Sequence, residues 1–323
     1  MVSRISVIMP ARNAAATIEE SARSVLQSAR LGELLVIDDQ STDATASIAS
    51  GIGDPRIRIV SGEARGISAA LNIGLRQASG DLIARCDADD LYPADRLEWQ
   101  CDWLAENPAY IAVTGGFRTV TADGRTIADL ACAGEPCDVS ANLLGGEPHT
   151  HFCAWLTRRS ALEAVAGARE WFVTAEDLDL MFRLAAVGPI WHVPRIAYAY
   201  RLHDHSIVHT QPNILRVFYE QSACAFALER AAGRPDPLAQ GNPPLIPDAD
   251  PACNGAGVVS AAKQAAGQLE GVAWYQFSEG EHRKALASMW LAVRMNPTDL
   301  QKWCQLVRLG GKSLITIVWR QKR

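Results

Sequence analysis

Three carboxylates follow one another closely in the sequence, at Asp87, Asp89 and Asp90. The mostly apolar segment 82–86 stands directly before them and predicts a short buried strand. Like charges at this spacing repel, so the cluster is costly without a counter-ion. On a strand, Asp87 and Asp89 would project to the same side, and carboxylate oxygens are ligands that Mg²⁺ and Mn²⁺ prefer. We therefore expect Asp87 and Asp89 to hold one of these ions. The alternative is an acidic turn that only faces solvent.

A second acidic pair, Asp38 and Asp39, ends another apolar segment, 34–37. Up to residue 86 the sequence alternates short apolar runs with helical patterns, which is typical of a parallel, doubly wound α/β sheet. Ligands bind at the carboxyl ends of the strands in such sheets. Because each acidic pair follows a predicted strand, all of these carboxylates are expected at that one edge.

Local signals predict the other elements. Thr17 and Glu20 have the spacing of a capping box, and Gly32 is expected to end the helix that they begin. Residues 128–150 lack periodicity and predict a loop near the site, whereas 149–156 predict a strand. Further helices are expected from 160 onward, at 176–186 and at 213–232, with a strand at 190–200.

The C-terminal part differs in composition from the rest. Residues 233–257 are rich in Pro and Gly and predict a linker or an irregular lid. The segment 271–298 has two helical patterns joined near Gly280 and resembles a single tetratricopeptide unit. Residues 312–323 mix basic and apolar side chains without an acid, which suits contact with an anionic membrane surface or, alternatively, an ordinary docked helix. Three regions are expected, at 1–212, 213–257 and 258–323.

Composition narrows the class of protein. The 323 residues are 48% hydrophobic and 21% charged, a globular mixture, and the net charge of −5 argues against nucleic acid as a partner. The eight cysteines form no Cys-x-x-Cys pair, so a zinc site is not expected. No apolar run is long enough to span a membrane, and the first ten residues indicate a strand rather than a signal peptide. We expect a cytoplasmic protein, with peripheral contact at the inner face of the membrane left open.

Six motifs in order resemble family 2 of the inverting glycosyltransferases, over residues 4 to about 210. They are Pro-Ala-Arg-Asn at 10–13, Ile-Asp-Asp-Gln-Ser-Thr-Asp at 37–43, Gly-Ile-Ser-Ala-Ala-Leu-Asn at 66–72, Asp-Ala-Asp at 87–89, Glu-Asp-Leu-Asp-Leu at 176–180 and Tyr-Arg-Leu-His at 200–203. The resemblance implies the GT-A fold, here a doubly wound mixed sheet with a small helical C-terminal region. One position departs from the family pattern, because Leu71 stands where a basic residue is frequent. Arg65 is the alternative source of that phosphate contact.

The resemblance also implies roles for these residues. A nucleoside-diphosphate sugar, with a UDP-sugar favoured, would be bound by Pro10, Ala11, Asn13, Asp38, Asp39, Arg65, Ser68 and Asp87. Within this set Asp39 would contact the base. Asp87 and Asp89 would hold Mn²⁺ or Mg²⁺, with His203 as a further ligand. A hydroxyl of a glycan or lipid-linked acceptor would attack in a single displacement, with Asp177 as the general base and Glu176 as the second choice. His149 and His151 would line the acceptor pocket or lie at the surface.

Two other functions stay open. A nucleotidyltransferase that makes sugar nucleotides also uses a doubly wound sheet with acidic metal ligands. It normally needs a Gly-rich loop after the first strand, and residues 10–14 contain no Gly. A non-catalytic scaffold with a partner-binding helical C-terminus would have a decayed site, yet the acidic positions of the motifs are all present.

Overall fold

The computed structural model describes residues 4–204, 213–248 and 260–321, with the backbone alone at 213 and 313–321. The chain divides into two compact units. Of the described residues, unit 1 contains 4–118, 129–200 and 213–248, and unit 2 contains 119–128, 201–204 and 260–321. The expected division into three regions stays a prediction, as does a lid in the part of 233–257 that lies outside the described residues.

The strands described form one mixed sheet. They are β1 (Ile5–Ala11), β2 (Leu31–Asp38), β3 (Ile57–Ser61), β4 (Leu82–Arg85), β5 (Ala112–Thr121), β6 (Thr126–Leu130), β7 (Cys137–Asp138), β8 (Trp155–Arg158) and β9 (Ile190–Leu202). Their order is β3-β2-β1-β4-β8-β5-β9-β7, with β6 paired to β5. β1 to β4 are mutually parallel, whereas β8 is antiparallel to β4 and β5. The predicted doubly wound mixed sheet is confirmed, and the carboxyl ends of β1 to β4 share one edge.

Helices bury apolar clusters on both faces of this sheet. Those of unit 1 are α1 (Ile18–Leu26), α2 (Thr45–Gly51), α3 (Ile67–Gln77), α4 (Arg96–Glu106), α5 (Ser140–Leu144), α6 (Arg159–Ala164), α7 (Glu176–Ala185) and α8 (Asn213–Ala231). In β2, Leu35 and Ile37 pack in the cluster that includes α3 and α7. The alternate residues Leu34 and Val36 pack with α1 and α4. A strand that is covered on both faces is apolar on both sides, which explains the continuous apolar run.

Several predicted boundaries were wrong. Thr17 precedes α1 as expected, but its side chain makes no capping hydrogen bond. Gly32 does not end α1, because that helix stops at Leu26 and Gly32 lies inside β2. The strand expected at 149–156 is replaced by a 3₁₀ turn at Phe152–Ala154, and β8 begins only after it. The loop expected at 128–150 is interrupted by the end of β6, by β7 and by α5.

The helices of unit 2 are α9 (Ala261–Ser278), α10 (His282–Met295) and α11 (Leu300–Gln321). The Ser260 hydroxyl caps α9 by accepting a hydrogen bond from the Lys263 amide at 3.2 Å. A turn at Gly280, with a φ of 80°, separates α9 from α10 at the expected place. The relation to a tetratricopeptide unit stays a prediction. Within the described residues, no helix is both long enough and apolar enough to cross a membrane.

Candidate functional site

The loops that follow β1 and β2 are tied together by hydrogen bonds. Asn13 Oδ1 accepts from the amide of Thr42 at 2.8 Å and from its hydroxyl at 3.2 Å. The Asn13 amide donates to Ser41 Oγ at 3.0 Å. The Ser41 amide in turn donates to Asp38 Oδ1 at 3.3 Å. The structure therefore brings Asn13 and Asp38, two of the predicted site residues, into one hydrogen-bonded group at the edge of the sheet.

Asp39 organises the loop between β3 and α3. Its side chain is buried, Oδ1 accepts from the Ala64 amide at 2.7 Å, and Oδ2 accepts from the Gly66 amide at 3.2 Å. The chain passes so close at Gly62 that a Cβ there would lie 2.7 Å from Asp39 Oδ1. Two backbone donors thus fix the orientation of the carboxylate, and each oxygen keeps a lone pair for a further donor. Base recognition by Asp39 stays a prediction that this geometry permits.

Backbone strain occurs at the same edge. Of the six described residues other than glycine that have a positive φ angle, four lie here, Asn13 (52°), Gln40 (61°), Ala64 (57°) and Ala175 (57°), and the other two are Ala131 and Ala166. The first three follow β1, β2 and β3, and the fourth immediately precedes α7. At Gln40, Ala64 and Ala175 this conformation costs roughly 1–2 kcal/mol, so the surrounding contacts must enforce it, whereas Asn adopts it more readily. Such strain is typical of ligand-binding loops and supports this edge as the candidate site.

The carboxylates after β4 lie on a tight turn and not on the strand. β4 ends at Arg85, and the Asp90 amide donates to the Asp87 carbonyl oxygen at 3.1 Å. The expectation that Asp87 and Asp89 project from a strand is therefore wrong, because the backbone has already turned. The Tyr198 hydroxyl donates to Asp90 Oδ2 at 2.7 Å, and Asp90 is fully buried. Asp90 thus holds the turn to β9, while Asp87 and Asp89 are partly exposed.

Arg85 supplies the counter-ion that the acidic cluster requires. Its Nε and Nη2 donate to the two carboxylate oxygens of Asp87 at 2.7 and 3.1 Å. Its Nη1 donates to Glu176 Oε1 at 2.9 Å, and both Arg85 and Glu176 are buried. One guanidinium therefore joins the end of β4 to the start of α7, and we call this group, Arg85 with Asp87 and Glu176, the Arg85 clamp.

Arg85 is not among the site residues predicted from the sequence. A single basic residue inside a short apolar run has no motif of its own, and its partner Glu176 is 91 residues away in the sequence. The signal that could have found it is charge balance. Clustered carboxylates need a cation nearby, and Arg85 is a basic residue two positions before Asp87.

The first two residues of α7 have different environments. Burial raises the pKa of Glu176 to about 7; the Arg85 charge opposes this rise and the Asp177 charge adds to it. Asp177 is partly exposed, and its Oδ1 accepts from the Leu178 amide at 2.9 Å. A side chain that takes a proton from a bound molecule must be reachable by that molecule. The structure thus favours Asp177 over Glu176 for such a role.

Stability is expected to depend on pH through Glu176. A carboxyl with a raised pKa contributes stability that is fully present below its ordinary pKa of 4.5 and is lost as the pH rises through about 7. In Glu176→Gln, the free energy of unfolding should decrease less as the pH rises, by roughly 1–3 kcal/mol. Denaturant unfolding at about pH 5 and about pH 8 measures the difference. Glu163→Gln, which changes an exposed partner of Arg159, is the control. An unchanged pH dependence in Glu176→Gln would contradict the expectation.

His151 lies beside the acidic residues. Its ring stacks against Tyr198 and Tyr200, with centroid distances of 5.7 and 5.6 Å. Burial lowers the pKa of His151, whereas the charges of Asp177 and Asp87 act to raise it. The lowered pKa favours the neutral form of the imidazole. Its Nδ1 accepts from the backbone amide two residues on, at 3.2 Å, which leaves Nε2 as the N–H donor.

His149 has different neighbours from His151. Its ring packs against His192 at a centroid distance of 4.3 Å. The strand expected at 149–156 would have placed His149 and His151 on one face, but the segment between them is not a strand. A place for either histidine in an acceptor pocket stays a prediction.

Three other predicted residues are used in packing the strand ends. Pro10 and Ala11 are the last residues of β1, and the Ala11 carbonyl accepts from the Asp39 amide at 2.8 Å. Ser68 is buried in α3, where its hydroxyl donates to the Phe172 carbonyl at 2.9 Å. That contact holds α3 to the segment before α7, and ligand binding by Ser68 stays a prediction.

The ion pairs of Arg65 lie outside this group. Arg65 is exposed and forms ion pairs with Glu63 and with Glu170, the latter at 2.7 Å. His203 follows β9 and belongs to unit 2. Phosphate contact by Arg65 and metal ligation by His203 stay predictions.

The turn after β4 offers oxygen donors of the type that a hard divalent cation takes. Among the residues that the structure describes, no three His, Cys, Asp or Glu side chains converge as a metal-binding group. Mg²⁺ is usually bound by one or two carboxylates, with waters and substrate phosphates completing its shell. Asp87 Oδ1 accepts from Arg85 and keeps a lone pair, whereas Oδ2 accepts from Arg85 and, at 3.6 Å, from the Cys153 thiol. Asp87 and Asp89 therefore fit such an ion when a substrate supplies the other oxygens.

Comparison with known sequences gives a consistent result. The model of the family described as Glycosyl transferase family 2 matches residues 6–166. UDP-Glc:alpha-D-GlcNAc-diphosphoundecaprenol beta-1,3-glucosyltransferase WfgD of Escherichia coli is 41% identical over 105 residues, which are 32% of this chain and 42% of that protein. The putative glycosyltransferase EpsE of Bacillus subtilis (strain 168) is 34% identical over 193 residues, 57% of this chain and 68% of that protein. The chain thus matches 42% of the length of the first relative and about two thirds of the second.

Solved structures share the fold. S. aureus TarS 1–349 in complex with UDP-GlcNAc has a TM-score of 0.59 at 16% identity, over 99% of this chain and 92% of that chain. The mannosyltransferase PcManGT from Pyrobaculum calidifontis, in complex with GDP-Man and Mn²⁺, has a TM-score of 0.52 at 22% identity, over 97% of this chain and 88% of that chain. At these identities the likeness shows the architecture alone.

Proposed function

The chain belongs to glycosyl transferase family 2 and is a glycosyltransferase, and from that premise we propose a metal-dependent, inverting reaction. It moves a sugar from a nucleoside-diphosphate sugar, with a UDP-sugar favoured, to a hydroxyl of a glycan or lipid-linked acceptor. The observation that carries the proposal is the Arg85 clamp. It joins the acidic turn, where a diphosphate and its metal would bind, to the acidic start of α7, where a base would act.

The donor assignment rests on two kinds of support. WfgD has UDP-Glc in its name, and TarS is known in complex with UDP-GlcNAc. In this chain, Asp39 has the geometry to accept the imide N–H of uracil, because the amides of Ala64 and Gly66 fix its carboxylate. The hydrogen-bonded loops around Asn13 and Asp38 would form the adjoining wall of the nucleoside site.

The diphosphate would lie against the turn after β4, where Asp87 and Asp89 are partly exposed. Mn²⁺ or Mg²⁺ held by these two carboxylates would neutralise the leaving nucleoside diphosphate. Arg85 keeps the Asp87 carboxylate fixed by two hydrogen bonds, so this ligand is oriented before the substrate arrives. PcManGT, with Mn²⁺ in its complex, supports a divalent ion on this fold.

Asp177 would take the proton from the acceptor hydroxyl as that oxygen attacks the anomeric carbon. It is the reachable acid of the pair at the start of α7, whereas Glu176 is buried and bound to Arg85. A single attack opposite the leaving group inverts the configuration and needs no covalent nucleophile. A lipid-linked acceptor is supported by the name of WfgD, which includes GlcNAc-diphosphoundecaprenol.

Thermal shift with a panel of UDP-, GDP- and dTDP-sugars, each with and without Mn²⁺, tests the proposal. The sugar nucleotide that is the donor should raise the melting temperature, and this increase should depend on the metal. At a donor concentration of a hundred times its Kd, binding adds about 2.7 kcal/mol to the free energy of unfolding. Asp89→Asn should lose the metal-dependent part. No shift with any donor would contradict the proposal. Pyrophosphate release from a nucleoside triphosphate and a sugar phosphate would show a nucleotidyltransferase instead.

A further inference from the structure

An apolar stripe on α11 faces solvent. Leu300 is 77% exposed, Trp303 is 40% exposed and Val307 is 74% exposed. Their spacing of three and four residues places them on one face of the helix. Leu309, on another face, is fully buried, so α11 already has a packed side. The stripe is thus a second apolar face, which the described part of unit 2 leaves uncovered.

The stripe continues onto α10. Trp290 is 49% exposed, and its ring meets that of Trp303 edge to face, with a centroid distance of 5.9 Å. We call Trp290, Leu300, Trp303 and Val307 together the tryptophan surface. Single exposed apolar residues are common, but a contiguous group with two indole rings indicates an interaction surface.

Basic residues surround this surface in the sequence. From residue 282 to residue 323 there are nine Lys or Arg and one acid, Asp299, although the whole chain has a net charge of −5. Arg294 and Arg308 are exposed on the same two helices as the tryptophan surface, and neither forms an ion pair within the described residues. The other part of the chain carries the excess of acid. Positive charge is therefore concentrated on the segment that also exposes apolar side chains.

We propose that the tryptophan surface docks on an anionic lipid bilayer. Indole rings favour the boundary between lipid headgroups and acyl chains, and exposed Arg side chains favour anionic headgroups. A second copy of this chain is a poorer occupant, because it would bring two basic segments together. The proposal goes beyond the glycosyl transfer itself, since binding to lipid requires neither donor nor metal.

Co-sedimentation of the full chain with vesicles tests the docking. The chain should bind vesicles of phosphatidylcholine mixed with phosphatidylglycerol at least roughly tenfold more tightly than vesicles of phosphatidylcholine alone, and added salt should weaken the binding. Leu300→Ser/Val307→Ser and Arg294→Glu/Arg308→Glu should each lose it. Leu228→Ser is the matched control, because Leu228 is 55% exposed on α8 of unit 1. Equal binding to both vesicles, or equal loss in the control, would overturn the proposal.

Two further measurements make the result specific. Size-exclusion chromatography should give the same elution volume for the wild type and for Leu300→Ser/Val307→Ser; a dimer lost in the variant without vesicle binding would make the surface a contact between copies. The thermal shift with donor and Mn²⁺ should be unchanged in the same variant, because the substituted side chains lie outside the proposed donor site. Vesicle binding without a thermal shift by any donor would contradict the proposed reaction and support the membrane surface. A thermal shift by a donor without vesicle binding would contradict the membrane surface and support the proposed reaction.

Discussion

Asp177→Asn is expected to lower the rate of sugar transfer by about a hundred- to ten-thousand-fold while donor binding is retained. The amide has nearly the same shape as the carboxylate but cannot take the proton of the acceptor hydroxyl. Asp177 is partly exposed at the start of α7 and contacts the Leu178 amide at 2.9 Å, a hydrogen bond that an amide oxygen can also accept. Single-turnover transfer measures the first effect, and thermal shift with the donor measures the second.

The competing role for Asp177 is structural, since an acid in the first turn of a helix is stabilised by the helix dipole. That role alone predicts a loss of about 0.3–1 kcal/mol in the free energy of unfolding and normal transfer by the folded protein. Glu163→Gln, on the exposed side of α6, is the control for removing a carboxylate. Full transfer by Asp177→Asn would show that the base lies elsewhere. Loss in Glu176→Gln with normal transfer by Asp177→Asn would assign it to Glu176.

The edge of the sheet that carries the candidate site was predictable, because short local patterns in the sequence mark where each parallel strand ends. Each buried parallel strand is a continuous apolar run, and the first polar residues after it, such as Asp38 and Asp39, mark its carboxyl end. Parallel pairing of β1, β2, β3 and β4 then brings these ends together without any further information. The doubly wound sheet follows from this repetition, which is why a correct fold class coexists with errors at individual boundaries.

The site itself depends on contacts that local patterns do not contain. Whether Asp87 and Asp89 lie on a strand or on a turn is decided by where β4 stops, and Tyr198 from β9 fixes that turn by bonding to Asp90. Gly32 is of a residue type that often ends helices, yet the pairing of β1 with β2 places it in a strand. Both outcomes come from long-range pairing, which overrides the preference of a single residue.

Arg85→Met is expected to destabilise the fold by roughly 3–5 kcal/mol above pH 7. The substitution keeps an apolar stem of similar length but removes the charge that Asp87 and Glu176 share. Glu176 is buried, so its ionised form would have no compensating partner. Burial already raises the pKa of Glu176 to about 7, so at lower pH this side chain binds a proton and no unpaired buried charge remains. The loss should accordingly be smaller at about pH 5, which denaturant unfolding at the two pH values would measure.

Three variants separate the Arg85 clamp from a general effect of losing an arginine. Arg23→Met removes an exposed partner of Glu19 and should cost less than about 0.5 kcal/mol. Arg85→Lys keeps the charge but not the two-pronged hydrogen bonding, so its loss should be intermediate. Arg85→Met/Glu176→Gln should regain part of the stability, because the uncompensated acid is then absent. If the double variant showed the simple sum of the two single losses, Glu176 and Arg85 would not act as a pair. The link between the acidic turn and α7 would then have to come from packing alone.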